Sequence, residues 1–307
     1  MIDRGRPGTT IFAMSGPASP DVIERAAASS AVMLIGAMDT GKSTLGRRIA
    51  STALSAGRTV AYVDADVGNS TFGPPACASL ALLESTADLE RSTADRLHFV
   101  GSITPDRLVL QHVVGTVALA HEGARMADLV IVDTTAAISG VVGETLKYHK
   151  VELIRPDLIL ALQRGGELEP IVGMLRRFLA SDVVTLPADP DVNPVGPDTR
   201  AAQRARGFAT AFEPPLDKWR VRPTVFAPTL PPGLDLSRLD GVLVGVQDGE
   251  GRCLGLGRLE YDDGVLRVLT RIGDGMQGLR LGSLRIDLDN FSTKQVNLRE
   301  LIFGLER

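Results

Sequence analysis

The chain has 307 residues, 44% of them hydrophobic and 23% charged, and its 33 basic and 37 acidic side chains leave a formal net charge of −4. These values exclude an intrinsically disordered chain, and at this length two domains are expected rather than one. No apolar run reaches the roughly 18 residues that suggest a spanning helix, and the charge does not suggest a wholesale nucleic-acid coat, though a local basic groove stays open.

Met1 to Pro17 has no long apolar stretch after its arginines, so a secretory signal is not expected. Cys77 and Cys253 are the only cysteines and both sit in ordinary apolar contexts. They predict two buried free thiols, exclude a disulfide framework or a Cys-rich zinc site, and make the cytoplasm the default compartment. The basic residues are 28 arginines and only five lysines: Lys42, Lys147, Lys150, Lys218 and Lys294.

In chain order, Ala31–Ile35 reads as a short strand ending in glycine, and Ser43–Ala56 as a helix. Arg58–Val63 is a strand ending at Asp64, and His98–Val100 a short strand. Pro105–Ala124 is helical, Leu129–Val132 is a buried strand ending at Asp133, and Leu146–Ile154 is helical. Leu158–Leu162, Pro170–Leu179 and Val183–Leu186 continue as strand, helix and strand. Short continuous apolar strands between helices predict a parallel sheet covered on both faces.

Pro187–Pro197 breaks the pattern, with four prolines in eleven residues, and a polar, Arg-bearing helix follows from about Asp198 to Phe212. Pro214-Pro215 and Pro223–Pro232 form a second break. Beyond it, Asp240–Val246, Leu254–Tyr261, Val265–Thr270 and Leu279–Ile286 read as short strands, with hairpin turns at Asp248-Gly-Glu-Gly and Asp262-Asp-Gly. The expected architecture is α/β. A parallel sheet of the P-loop kinase type, flanked by helices, occupies residues 1–222, with the Arg-bearing segment at about 198–213 as a lid. A small, barrel-like all-β domain occupies 223–307.

Gly36-Ala-Met-Asp39-Thr40-Gly41-Lys42-Ser43-Thr44 fits G-x-x-x-x-G-K-[ST], after a strand and at the start of a helix, as the motif requires. The glycines let backbone N–H groups point at a β-phosphate, Lys42 adds a cation between the β- and γ-phosphates, and Ser43 offers a hydroxyl to Mg²⁺. None of the five lysines follows an asparagine, so no Asn-Lys-x-Asp guanine reader exists, and no Ser-Gly-Gly-Gln signature of transporter ATPases occurs. Kinases and less common ATPases remain.

Tyr62-Val-Asp64-Ala-Asp66-Val-Gly68-Asn69 ends the second strand, and Gly73-Pro74-Pro75 follows. A carboxylate at the carboxyl end of a parallel strand can face the γ-phosphate region; equally, both aspartates can be turn or cap residues. Further on come Phe99-Val-Gly-Ser-Ile-Thr-Pro105, Val130-Ile-Val-Asp133-Thr134-Thr135, Leu146-Lys147 and Lys150–Asp157. With Arg200-Ala-Ala-Gln-Arg204, Phe208 and Phe212, these pieces stand in the order found in a known family. From about residue 20 to 300 the chain resembles the polynucleotide 5′-hydroxyl kinases related to the RNA kinase of the mRNA 3′-end cleavage machinery, to ribosomal-RNA-processing kinases and to their archaeal relatives.

The resemblance implies ATP and Mg²⁺ on the loop, contacted by Gly36, Asp39, Thr40, Gly41, Lys42, Ser43 and Thr44. It implies Asp66 as the base that activates a 5′-hydroxyl, and Arg200 and Arg204 as lid arginines that stabilise transition-state charge. Without the family these arginines read as a solvated helix face. Asn69, Thr134 and Thr135 match acceptor-binding positions, and Ser43, Asp66 and Asp133 the metal site. Asp133 supports Mg²⁺ through water or simply ends a strand; Asp39 has a turn role or a catalytic one. The implied partner is the single-stranded 5′ end of RNA, with DNA a second acceptor class, and no membrane.

Three departures matter. Asn69 replaces the family's glutamine, and Ala136 and Ala137 stand where the family has Gly and often Trp. No ring is left there to stack on the terminal base, an interaction worth about 1–3 kcal/mol per base. Phe72, Phe99 or Trp219 could substitute, although core packing is expected of the phenylalanines; Trp219, beside Lys218, Arg220 and Arg222, suggests a basic surface patch. The four histidines have no metal-ligand spacing and read as structural or surface residues. Two rivals to the kinase reading are a nucleotide-loaded scaffold in an RNA-processing assembly and a kinase or ATPase acting on another hydroxyl.

Overall fold

The structure, a computed structural model, describes residues 18–190 and 192–303, so the expectation for Met1–Pro17 lies outside the described residues. Helix α1 (Pro20–Ala28) carries proline in its first turn, where the missing N–H has no partner to lose. Then come β1 (Ala31–Gly36), α2 (Lys42–Ser55), β2 (Val60–Ala65), β3 (Cys77–Leu83), β4 (Arg96–Phe99), α3 (Val109–Gly123), β5 (Leu129–Thr134) and α4 (Gly140–Ile154). They are followed by β6 (Leu158–Gln163), α5 (Glu169–Phe178), β7 (Asp182–Pro187), α6 (Pro197–Ala211) and β8 (Asp217–Arg220). The remainder is β9 (Val242–Gln247), β10 (Cys253–Asp262), β11 (Val265–Thr270), β12 (Gly278–Ile286), β13 (Thr293–Gln295) and α7 (Leu298–Phe303).

Strands β2, β5, β1, β6 and β7 lie side by side in that order and all run parallel. Alternate residues of each feed two cores. Leu34, Tyr62 and Ile131 pack with Ile23, Leu45 and Ile49 from α1 and α2. Met33, Val63 and Val132 pack on the other face with Leu119, Val151 and Leu175 from α3, α4 and α5. Burial on both faces explains why these strands are continuous apolar runs rather than alternating ones.

β3 and β4 turn back antiparallel beyond β2. β4 touches β10 through one pairing, Leu97 with Cys253, and this joins the antiparallel strands of the C-terminal part to the parallel sheet. The seam is tightly packed: a Cβ at Gly245 would lie 2.4 Å from Cγ of Phe99, so glycine is what lets that ring seat. Phe99 is buried there with Cys77, Phe208, Phe212 and Leu243, while Phe72 is fully buried against Tyr62, so both phenylalanines are core residues. Cys77 is buried, whereas Cys253 is only half-buried, and both are free thiols.

Three strands escaped the sequence reading: β3, β8 and the short β13. β3 is Cys-Ala-Ser-Leu-Ala-Leu-Leu, rich in good helix formers, and tertiary pairing between β2 and β4 makes it a strand. β8 is Asp-Lys-Trp-Arg, exposed throughout, and pairs with β11 although it precedes residue 223. Helix α3 starts at Val109 rather than Pro105, because Ser102 and Thr104 hold a hydrogen-bonded turn just before it. Helix α4 starts six residues earlier than Leu146, at a glycine, a residue with no helix preference to announce it.

Candidate active site

The phosphate loop joins β1 to α2. A Cβ on Gly36 would lie 2.6 Å from Thr40 Oγ1 and 2.8 Å from the Leu162 carbonyl oxygen, so only glycine fits the turn out of the strand. Asp39 (φ 56°) and Gly41 (φ 88°) are left-handed, which coils the chain back over its own start. The Thr40 hydroxyl and the Lys42 ammonium both donate to the Ala37 carbonyl, at 2.9 and 2.7 Å. Gly41 caps α2 without a side chain, leaving the first-turn N–H groups of the helix to an anion.

Burial pulls the Lys42 pKa down, and Asp133, Asp66 and Asp39 pull it back up. Three carboxylates therefore share the field of one lysine. The sheet order modifies the sequence-based expectation here, because β5, not β2, lies next to β1. Asp133, near the end of β5, is the carboxylate nearer the loop. It accepts from the Tyr62 hydroxyl at 3.1 Å and from Ser43, and burial raises its pKa.

Asp64 and Asp66 part company. Asp64 is buried within β2 and accepts from the backbone N–H groups of Asp66, Thr71 and Phe72 and from the Ser70 hydroxyl. Burial first, then Asp133 and Asp66, push its pKa up to about 8. Its role is to shape the loop that follows. Asp66, just past the strand end, accepts from Gly68 and Asn69 N–H through Oδ1, at 3.0 and 3.2 Å. Its Oδ2 accepts no hydrogen bond from any described residue.

Helix α6 lies across the site. Arg200 donates to both carboxylate oxygens of Asp39 at 2.6 Å and, through Nε, to the Val195 carbonyl at 3.1 Å. Arg204, one turn on, is half-buried and has no ion pair with a described residue. The far end of the helix is anchored by buried Phe208 and Phe212, and Gly207 abuts Pro75; a Cβ there would lie 2.8 Å from the proline ring.

Thr134 and Thr135 are buried, and Thr134 Oγ1 donates to the Leu34 carbonyl at 2.7 Å. Lys147 reaches Thr134 Oγ1 at 2.9 Å and the Thr135 carbonyl at 2.6 Å. Both threonines thus fasten the end of β5 to its surroundings. Asn69 has its Oδ1 buried with no hydrogen-bond partner among the described residues.

The sequence reading assigned no role to Arg164, His112, Lys147 or Lys150. Arg164, at the end of β6, donates to the carbonyls of Met38 and Asp39 and clamps the phosphate loop from behind. Lys147 and Lys150 are fully buried, and desolvation lowers both pKa values, that of Lys150 to about 7. Lys150 Nζ lies 3.0 Å from His112 Nε2, itself 2.8 Å from the Ala65 carbonyl. Nε2 is thus shared between the Ala65 carbonyl and the Lys150 side chain, and the ring's tautomer sets which contact is the hydrogen bond. The available signal was scarcity: three of the chain's five lysines lie buried at or beneath this site.

Among the described residues no group of three or more His, Cys, Asp or Glu side chains is arranged to hold a metal ion. A phosphate-loop Mg²⁺ needs less: one hydroxyl, phosphate oxygens and waters held by a carboxylate. The Ser43 hydroxyl bonded to Asp133 supplies that pair.

Residues 36–213 match the family of the mRNA cleavage and polyadenylation factor CLP1 P-loop. A polyribonucleotide 5′-hydroxyl-kinase of Pyrococcus horikoshii is 31% identical, the alignment covering 84% of this chain and 86% of that protein. One of Methanocaldococcus jannaschii is 40% identical over 46% of this chain and 39% of its own length. The solved wild-type Clp1p–Pcf11p complex contains a chain of the same fold, with a TM-score of 0.66 at 14% identity, covering 86% of this chain and 77% of that one.

Proposed function

Because the chain belongs to the CLP1 P-loop family, we propose that it is an ATP-dependent polynucleotide 5′-hydroxyl kinase, with RNA the favoured acceptor and single-stranded DNA a second acceptor class. The observation that carries this reading is the convergence on Lys42 of Asp66, Asp133 and Asp39, with Arg200 of the lid bonded to Asp39. The site has a place for phosphates, a carboxylate with an unengaged oxygen, and a guanidinium held over the loop.

In this reading ATP lies along the phosphate loop with Lys42 between its β- and γ-phosphates. Bound Mg²⁺, held by Ser43 and through water by Asp133, would neutralise phosphate charge and draw electrons toward the leaving group. The 5′-hydroxyl oxygen attacks the γ-phosphorus in line. Its proton passes to Asp66 Oδ2, the bond from the γ-phosphorus to the bridging oxygen breaks, and that electron pair leaves with ADP. Arg200 and Arg204 stabilise the charge on the equatorial oxygens. Asn69, with its unpaired carbonyl oxygen, is placed to orient the acceptor, while Thr134 and Thr135 act on it only by fixing the end of β5.

Residues 1–222 are assigned to the kinase domain and 223–307 to a smaller β domain. Two free thiols suit a reducing compartment, so the cytoplasm belongs to the proposal; among the described residues no helix is long and apolar enough to cross a membrane.

The base assignment is tested with Asp66→Asn. Phosphate transfer to a 5′-hydroxyl oligoribonucleotide should drop at least about 10²-fold, the lower end of what a general base contributes, while ATP affinity measured by titration stays near the parent value. Undiminished transfer would remove Asp66 from the role.

A further inference from the structure

The recess directly beside the phosphate loop, between Thr44, Arg48 and Leu162, is only about 20 Å³. A cleft of about 620 Å³, within the range of ligand sites, lies elsewhere, along the lid helix. Four parts of the molecule wall it, one of them residues 92–97, which lead into β4. Thr71 comes from the loop that follows Asp66, Arg206 and Thr210 from α6, and Leu254, Arg271 and Ile272 from the C-terminal strands and the turn after β11. Leu254 and Ile272 make an apolar wall, and two guanidiniums stand at its edges. Arg271 is held to the Thr210 carbonyl at 3.1 Å and to Glu213 at 3.3 Å. Arg206 is exposed and makes no ion pair with a described residue.

Trp219 lies close to this cleft without lining it. The residue after Ile272, Gly273, lies against the indole of Trp219: a Cβ there would come within 1.9 Å of Trp219 Nε1, so the ring occupies the space of a side chain. Trp219 is 38% exposed, a large value for an indole. It sits on β8, an edge strand paired only with β11 and exposed at all four residues. Arg220 pairs across the ladder with Arg267, whose guanidinium lies 3.7 Å from the Asp262 carboxylate. Arg222 adds another exposed guanidinium. Lys218 and Arg220 alternate with Trp219 along β8 and project from its other face, where Lys218 meets Glu260 at 2.8 Å, so the guanidinium left at the cleft without a carboxylate partner among the described residues is Arg206.

We propose that this surface is the path of the acceptor strand downstream of its 5′ end. The nucleotides after the first run from the Asn69–Thr71 loop through the cleft, their phosphates met by Arg206 and Arg271, and a later base stacks on Trp219. The proposal rests on the kinase reading and deepens it. A cationic rim, an apolar wall and an exposed ring together are what single-stranded nucleic acid requires. The path also answers the loss of an aromatic ring at Ala136 and Ala137, because stacking omitted at the terminal base is recovered further along the strand.

Trp219 is the only tryptophan in the chain, so its fluorescence reports on this surface directly. The full chain is titrated with a single-stranded dinucleotide and octanucleotide, each carrying a 5′-phosphate so that neither can be phosphorylated. The octanucleotide should quench the emission, more weakly as salt rises, and the dinucleotide should not. In steady-state transfer to the matching 5′-hydroxyl oligonucleotides, Trp219→Ala and Arg206→Ala should each raise KM for the octanucleotide about tenfold, the size of one stacking or phosphate contact. KM for the dinucleotide and both kcat values should hold, and Trp219→Phe should restore most of the loss. Octanucleotide binding without any change in emission, or KM values for long and short acceptors that move together, would overturn the path. If no acceptor is phosphorylated at all, the kinase reading fails, and the fluorescence titration still decides whether this flank binds nucleic acid.

Discussion

Two aspartates separated by a single alanine differ entirely in what they can do. Asp64 lies inside β2, where its side chain points into the α2 face and is taken up by four donors; Asp66 lies past the strand end and keeps one oxygen unengaged. The sequence shows an Asp-x-Asp pair and does not say which is which, because that depends on where the strand stops. Asp39 was equally ambiguous between turn and catalysis, and the structure gives it both a left-handed backbone and a two-oxygen contact with Arg200. Its expected role is to hold the lid arginine where the γ-phosphate will be. Replacing it with alanine should lower kcat about tenfold, less than the ~10²–10³ typical of a group that itself touches the transition state. Arg200→Lys should not match the parent, since an ammonium cannot donate to the Val195 carbonyl, as Nε does, while also reaching both Asp39 oxygens, as Nη2 does. Single-turnover transfer rates for D39A and R200K check this; a D39A rate equal to the parent's would show that Arg200 needs no such seat.

At the level of elements, the parallel strands were legible because double burial writes them as apolar runs, and the helices between them because each covers such a run. β3 and β8 were not legible: one is written in helix-favouring residues, the other has no apolar side. Their strand identity comes only from neighbours, β2 and β4 in one case and β11 in the other. The contact of α3 with β4 leads to a pH prediction. His98 lies under Gly115, where an added Cβ would be 2.3 Å from the ring, and beside Arg280 at 3.5 Å. Burial, reinforced by Arg280, lowers its pKa to about 4 from 6.5. Between those two values the unfolded chain binds a proton at His98 that the folded chain does not, so this residue's contribution to stability is present above pH 6.5 and is lost as pH falls toward 4. The variant His98→Gln should therefore lose less stability than the parent between pH 7 and pH 5, measured by paired urea denaturations. Equal losses would mean that His98 is not held neutral.

Seen as a whole molecule, the strand order β2-β5-β1-β6-β7 gathers the chemistry along one edge of the sheet. β1 brings the phosphate loop, β5 brings Asp133, β2 brings Asp66, and β6 brings Arg164 to the back of the loop. The lid then crosses from Asp39 toward Pro75, where the aromatic pair Phe208 and Phe212 enters a core shared with β4, β9 and β10. Lid and C-terminal strands are thus packed as neighbours, and the large cleft exists only because they meet. The phosphate loop and the Arg-bearing lid were readable as motifs. The buried lysines were visible but mute, since nothing in a linear sequence says that Lys147 and Lys150 turn inward. The cleft was not readable at all, because its walls come from four parts of the chain far apart in sequence.

The most direct test is transfer of phosphate from γ-labelled ATP, with Mg²⁺, to matched 5′-hydroxyl RNA and DNA oligonucleotides, comparing the parent chain with Lys42→Ala. Labelled RNA from the parent, weaker or comparable labelling of DNA, and loss of both in the variant is the predicted result. ATP bound by the parent with no label transferred to either acceptor would contradict the kinase assignment and favour a nucleotide-loaded scaffold, with Ala136 and Ala137 as the first residues to exchange.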